Sequence, residues 1–228
     1  MMSRSTRSVD IHTGRDFERL INFSDAVVAV AITVLVLAIV DIRPLPSDRS
    51  IWDTIADNSG QLITFLFTFL VVGVMWLAHN RVLNQLQGFD SRIFWLNLLW
   101  LAGIAFLPWP SAMYGEDFIA PDGTPLKGVG LFYWLTLAFI SLLGWLIARH
   151  AQRVPELLEP SRAHLQHSPG TIAHYRGLVF ALFFVVIGVA TTLAQEIASW
   201  MPLLIIPLTV LFGRVARPSD DVVEQPHS

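Results

Sequence analysis

The chain has 228 residues, of which 54% are hydrophobic and 14% are charged. A soluble domain carries about 25% charged residues, so this chain lacks the polar surface that a soluble fold of its length needs. The composition argues against a soluble enzyme and predicts an integral membrane protein. The net charge of −3 argues against a nucleic-acid partner, and the lack of cysteine excludes disulfides and thiol catalysis.

Six apolar segments are long enough, or nearly so, to cross a bilayer, which takes roughly 20 residues each. They cover residues 20–40, 61–78, 93–109, 129–148, 178–194 and 200–212. The sixth segment is short and contains Pro202 and Pro207, which predicts a kink. The predicted fold is all-α: a polytopic membrane protein with six transmembrane helices. Residues 15–214 form the folded unit, between a flexible segment at 1–14 and a disordered tail at 215–228.

The basic residues predict the orientation of these helices. If the N-terminus is inside, the inner segments are 1–19, 79–92, 149–177 and 213–228, and they hold twelve of the fifteen Lys and Arg residues. The outer segments hold the other three, Arg43, Arg49 and Lys127. Cytoplasmic loops carry such an excess of Lys and Arg, so both termini are predicted to be cytoplasmic.

The first helix carries Asn22, Ser24 and Asp25 near its inner end, followed by an apolar run to Val40 in which Thr33 is polar. An ionisable residue inside a membrane boundary is costly and marks a function with a partner group. The alternative is that Asp25 is a helix-end charge at the level of the lipid headgroups. The pattern leaves both readings open.

An apolar stripe runs along the same helix. At 3.6 residues per turn, Val30, Val34 and Leu37 fall on one face, with Ala26 and Thr33 beside them. Such a stripe faces lipid or another helix in most membrane proteins. It lines a hydrophobic constriction when several copies meet on an axis.

The second and third helices supply polar groups at the depth of Arg19 and Asp25. Trp76, His79 and Asn80 stand at i, i+3 and i+4, on one face of the second helix, and Asn97 lies in the third. A cluster of these groups would hold the first helix against the second. Otherwise they are ordinary interfacial residues.

Other functional sites find little support in the sequence. The loop histidines His164, His167 and His174 lack the carboxylate or cysteine that would complete a known metal-ligand spacing, so no metal or cofactor is expected. No Thr-Val-Gly-Tyr-Gly filter is present, and no helix carries a ladder of arginines for voltage sensing.

Three groups of residues carry a family resemblance. They are Arg19-x-x-x-Phe23-Ser24-Asp25, Trp76-x-x-His79-Asn80-Arg81, and Trp95-Leu96-Asn97-Leu98-Leu99 followed by Leu107-Pro108. In this order, over residues 19 to about 115, they resemble the transmembrane protein 175 family of endosomal and lysosomal potassium channels and their prokaryotic relatives. Animal members carry two six-helix units and prokaryotic members one, so this chain resembles the prokaryotic branch.

The resemblance implies a homotetramer in the cell membrane whose first helices line a pore without a carbonyl filter. The family's narrow apolar position corresponds to Val30, its pore threonine to Thr33, and a further apolar ring to Leu37. Val34 lies on the same predicted stripe. Family members usually carry Ile or Leu at the narrow position, and Val30 is one methylene smaller. The resemblance therefore implies a wider or more easily wetted constriction here.

The leading hypothesis is a passive potassium-permeable channel that has no cofactor, conducts K⁺, and has other copies of itself and the lipid bilayer as partners. Arg19, Phe23, Ser24 and Asp25 are assigned, with Trp76, His79, Asn80 and Asn97, to a structural network that holds the pore helix. A second hypothesis is a proton-coupled carrier or proton conductor that uses Asp25 and His79 as relay groups. A third is a membrane scaffold without transport activity.

Overall fold

The computed structural model describes residues 11–40, 50–115, 127–159 and 175–193. Within them the chain forms eight α-helices and one two-stranded antiparallel β-sheet. The helices are α1 (Arg15–Val34), α2 (Leu37–Val40), α3 (Ile51–Asp57), α4 (Ser59–Leu83), α5 (Ser91–Phe106), α6 (Pro108–Gly115), α7 (Val129–Arg153) and α8 (Arg176–Leu193). The strands are β1 (His12–Thr13) and β2 (Gly88–Phe89). The predicted helical architecture is confirmed, although β1 lies inside the segment that was expected to be flexible.

Four described segments are long and apolar enough to cross a membrane: Ser59–Leu83, Ser91–Gly115, Val129–Arg153 and Arg176–Leu193. They correspond to the second to fifth predicted segments. The first predicted segment forms α1 and α2, and α1 also carries Asp16, Glu18, Arg19 and Asp25. The sixth predicted segment and the tail at 215–228 lie outside the described residues. The count of six helices therefore stays a prediction.

Two predicted helices are interrupted. The first breaks at Leu35 and Val36, where the Val36 N–H donates to the Thr33 carbonyl three residues back. The Thr33 hydroxyl donates to the Val30 carbonyl, and such bonds from Thr side chains bend helices. The third breaks at Leu107, because Pro108 and Pro110 have no N–H for the helical ladder.

The core of the bundle takes its buried side chains mainly from α1, α4, α5, α7 and α8. Its largest fully buried side chains are Trp100, Trp134, Tyr133 and Phe184. Small residues let the helices approach closely: a Cβ at Gly103 would lie 2.8 Å from Ile140, and one at Gly177 would lie 2.8 Å from Trp145. Lipid offers no hydrophobic drive between helices, so this close packing is what holds them together.

One end of the bundle holds seven of the eight described basic residues, and we call it the arginine-rich end. They are Arg15, Arg19, Arg81, Arg92, Arg149, Arg153 and Arg176, located at the starts of α1, α5 and α8 and the ends of α4 and α7. A second apolar cluster, which includes Phe17, Leu83, Ile93 and Ala151, joins four of these helix ends. This end corresponds to the side that charge placement predicts to be cytoplasmic, and the orientation stays a prediction.

The loop between α4 and α5 connects these helix ends. Asp90 caps α5 by accepting from the Ile93 N–H at 2.8 Å, and its other oxygen bonds His150 Nε2 at 2.7 Å. Burial acts to raise the pKa of Asp90, but the Ile93 N–H and His150 outweigh it, so the pKa lies below its usual value. The stability from this carboxylate is therefore present at neutral pH and is lost as pH falls through that lowered pKa.

Candidate functional site

The α1 helix buries one face and leaves the opposite face open. Its buried side chains are Phe17, Leu20, Ser24, Val28 and Ala31. Of the residues predicted to line a pore, Val30 is 62% exposed, Leu37 is 59% exposed and Val34 is 37% exposed. Thr33 is exposed too. Within the described part of one chain, no helix covers the face that carries all four.

The hydroxyl of Thr33 is bonded to its own helix. It donates to the Val30 carbonyl at 2.7 Å. A back-bond to the Ala29 carbonyl would be the usual pattern for Thr in a membrane helix, and the acceptor here is one residue closer. Because a hydroxyl has one proton and two lone pairs, the oxygen lone pairs of Thr33 are left facing away from the helix.

A buried chain of hydrogen bonds joins α1, α4 and α5. Asn97 Nδ2 donates to Ser24 Oγ at 2.9 Å, and Ser24 Oγ donates to the Leu20 carbonyl at 2.8 Å. His79 Nε2 lies 2.8 Å from Asn97 Oδ1. Since the Asn97 amide nitrogen donates to Ser24, its oxygen accepts, and His79 Nε2 carries the proton. The structure therefore brings Ser24, His79 and Asn97 together.

The imidazole of His79 is also stacked on Trp100. The two ring centroids are 3.9 Å apart with 4° between the planes, and His79 is 5% exposed. Its Nδ1 atom is buried and has no hydrogen-bond partner among the described residues. Trp100 was missed in the sequence, although it stands three residues after Asn97 and so shares its helix face.

The carboxylate of Asp25 has a separate partner. Trp76 Nε1 donates to Asp25 Oδ1 at 2.8 Å, and both side chains are half-buried. Trp can only donate and a carboxylate can only accept, so the bond has one direction. It joins α1 to α4 about one helical turn from His79.

Three residues of the predicted network lie outside it. Arg19 is exposed and makes no side-chain hydrogen bond within the described ranges. Asn80 Oδ1 accepts from Asn84 Nδ2, one turn further along the chain. Phe23 is 53% exposed. The reason is helical geometry: Arg19 and Phe23 stand on the open face of α1, whereas Ser24 is on the buried face.

A second buried polar cluster, which the sequence did not reveal, joins α4, α6 and α7. Thr68 Oγ1 donates to the Thr64 carbonyl at 2.7 Å, and it accepts from the hydroxyls of Ser111 at 2.9 Å and Tyr133 at 2.7 Å. Tyr133 also stacks on Tyr114, with 4.7 Å between ring centroids. The available signal was Thr64 and Thr68 at i and i+4 within an apolar run.

Replacing Thr68 with valine is expected to lower stability by about 1–3 kcal/mol, because two buried hydroxyls lose their acceptor. The measurement is the apparent Tm of the purified protein in detergent. Thr136→Val is the matched control, since the exposed Thr136 hydroxyl bonds just the Phe132 carbonyl. Equal losses in the two variants would contradict a stabilising role for the cluster.

The polar side chains of the site are few and are bonded in pairs or short chains. The described residues contain no group of three or more His, Asp or Glu side chains that could hold a metal ion. The site is an apolar helix face on which Thr33 is the polar residue, and buried hydrogen bonds hold the helix in place. The fold and site therefore define a polytopic helical membrane protein in which one face of α1 is left uncovered.

Comparisons with known proteins identify the family. Residues 19–108 match the sequence model described as "Endosomal/lysosomal potassium channel TMEM175", a description of an ion channel and not of an enzyme. The chain is 31% identical over 142 residues to a potassium channel of Chamaesiphon minutus, covering 60% of this chain and 68% of that protein. The chain belongs to the TMEM175 family, as its motifs predict.

Other relatives are similar over part of their length. A potassium channel of Streptomyces collinus is 31% identical over 140 residues, covering 60% of this chain and 66% of that protein. The human endosomal/lysosomal proton channel TMEM175 is 31% identical over 183 residues, and the chain spans 34% of it. The crystal structure of a lysosomal potassium-selective channel TMEM175 homolog from Chamaesiphon minutus aligns with a TM-score of 0.66 at 19% identity, covering 90% of this chain and 100% of that one.

Proposed function

We propose that this chain is one subunit of a passive, potassium-permeable cation channel. Four copies form a homotetramer in a prokaryotic cell membrane with both termini in the cytoplasm, and four α1 helices line its pore. The observation that carries the proposal is the open face of α1, where Val30 is 62% exposed beside Thr33 and Leu37. The names of the Streptomyces and Chamaesiphon relatives support K⁺ as the permeant ion.

Apolar side chains on this face account for gating without a carbonyl filter. Val30 and Leu37 form two dry rings, with Val34 beside them, and a narrow apolar ring resists wetting and so opposes hydrated ions. Thr33 lies between the rings. Its hydroxyl proton is bonded to the Val30 carbonyl, so its oxygen lone pairs are available to a partly dehydrated cation.

The buried polar cluster positions this helix and does not carry ions in our proposal. Ser24, His79 and Asn97 form one chain of hydrogen bonds, and Asp25 with Trp76 forms another. Among the described residues no hydrogen bond links Asp25 to His79, and His79 is 5% exposed. The separate hydrogen-bond partners of Asp25 and His79, and the burial of His79, favour a structural role over a proton relay.

The rival proposal is proton conduction, which the name of the human relative suggests. The deciding experiment measures K⁺ and Na⁺ uptake into liposomes that hold the purified protein, with and without a protonophore. We expect K⁺ uptake above Na⁺ uptake, and we expect it to survive collapse of the proton gradient. Flux that follows the proton gradient and stops in both Asp25→Asn and His79→Gln would favour the proton conductor.

The same preparation tests the scaffold hypothesis. The mass of the protein–detergent complex is measured by light scattering alongside the flux. A tetramer without flux would point to a closed channel that needs a stimulus. A chain that is folded but not tetrameric, and does not conduct, would overturn the channel proposal in favour of a scaffold.

A further inference from the structure

The side chain of Phe23 is the part of α1 that the proposed function leaves without a role. It adjoins Ser24, which is 3% exposed and bonded to Asn97, yet Phe23 itself is 53% exposed. Among the described residues its ring contacts no other aromatic ring, although α5 brings several aromatic side chains to the same end of the bundle. Its immediate motif neighbours Ser24 and Asp25 are thus bonded inside the subunit, whereas the Phe23 ring packs on no aromatic side chain among the described residues.

The spacing along α1 places Phe23 in line with the proposed gate. Phe23, Val30 and Leu37 stand at i, i+7 and i+14. Seven residues fall about 20° short of two helical turns, so Phe23 and Val30 share one face and lie about 10 Å apart along the axis. Their exposed fractions are 53% and 62%, and Leu37, past the break at Leu35 and Val36, is 59% exposed. The buried residues Ser24, Val28 and Ala31 lie about 80–140° around the helix from Phe23.

We infer that Phe23 faces the pore and forms an aromatic ring at its arginine-rich end. This inference rests on the proposed function, because the partners across the axis are the other three copies of this chain. The face that carries Phe23 is continuous with the Val30 face, which makes a second copy its occupant. A cation that enters from the arginine-rich end meets four phenyl rings before the dry ring of Val30.

The chemistry of the ring suits this position. Phe is apolar and large, so four copies narrow the entrance, and the aromatic ring attracts cations through its quadrupole. Phe23 is therefore a specificity-determining residue of the pore. It is not part of the network that holds the helix.

The cysteine-free chain allows a direct test, because one introduced cysteine is the sole thiol. Phe23→Cys is reacted in detergent with a positively charged methanethiosulfonate, labelling is verified by mass spectrometry, and the protein is reconstituted for K⁺ flux. We expect labelling to reduce flux at least several-fold, because it adds bulk and charge on the pore axis. Trp95→Cys is the matched control: Trp95 is 61% exposed but lies on α5, so its labelling should leave flux unchanged.

A short bis-maleimide crosslinker tests the same placement without relying on conduction. Each chain has one thiol and the reagent has two reactive ends, so cysteines at position 23 should give covalent dimers, and those at position 95 should stay monomeric. Fully labelled Phe23→Cys with undiminished flux, or with no covalent dimer, would overturn the inference. If the unmodified tetramer does not conduct, the covalent dimer still decides the placement of Phe23, because crosslinking needs no flux. A Phe23→Cys chain that fails to fold, while Val30→Cys folds, would return Phe23 to a structural role.

Discussion

Replacing Asn97 with leucine is expected to destabilise the protein more than any exposed substitution, by about 1–3 kcal/mol. Leucine has the same branched skeleton of heavy atoms as asparagine, with bulkier methyl groups, so the change removes hydrogen bonds and leaves no cavity. The His79 Nε2–H loses its acceptor at a position that is 5% exposed, and Ser24 loses a donor. A buried donor without a partner carries the full penalty of its lost hydration.

The measurement is the apparent Tm in detergent together with the fraction of protein that elutes as the intact oligomer. Asn80→Leu is the matched control. Asn80 lies next to His79 near the end of α4, but its side chain is bonded to the exposed Asn84. We expect a small change in the control and a large one in Asn97→Leu. If Asn97→Leu together with Ser24→Ala costs the sum of the two single changes, the bond between them contributes nothing.

Replacing Val30 with asparagine is expected to have the largest effect on ion flux. An amide ring in place of a dry ring is easily wetted, so the barrier to hydrated ions falls. A barrier lower by about 1.4 kcal/mol corresponds to a tenfold higher rate. We therefore expect K⁺ and Na⁺ uptake into liposomes both to rise about tenfold or more, and the preference for K⁺ over Na⁺ to fall towards unity.

Two control variants frame this result. Val30→Leu enlarges the ring and should reduce flux below that of the unmodified protein. Val74→Asn places the same amide on α4, where Val74 is 48% exposed, and should leave the ion preference unchanged. If the Val30→Asn protein is tetrameric and its flux and ion preference are unchanged, Val30 does not form the constriction that limits flux.

Part of the buried polar cluster could be predicted from the spacing of its residues in the sequence. Trp76 and His79 were expected at the depth of Asp25, because helical spacing puts them on one face of the second helix. In the structure Trp76 bonds Asp25, and His79 bonds Asn97, which bonds Ser24. Arg19, Phe23 and Asn80 were grouped with them from proximity along the chain. Their exposure and bonds differ because a helix turns by about 100° per residue, so neighbours in a motif point in different directions.

Long-range contacts were beyond sequence reasoning. The acceptor role of Thr68 depends on Ser111 and Tyr133, which are 43 and 65 residues away along the chain. The antiparallel pairing of β1 with β2 needs Gly88, where a Cβ would lie 2.6 Å from the His12 carbonyl oxygen. Neither contact produces a periodic pattern in the sequence, because each joins residues that are far apart along the chain.

The amino-acid composition and the spacing of apolar residues were enough to establish a helical membrane protein, because spanning lipid requires long apolar helices whatever their partners. Local motifs were enough to identify the family. Packing in three dimensions decided which face of α1 is buried against α5 and which is left open. That choice depends on tertiary contacts: Asn97 bonds Ser24 and His79, and His79 stacks on Trp100. Both faces of α1 are largely apolar, so the residues of the helix alone do not show which face is buried.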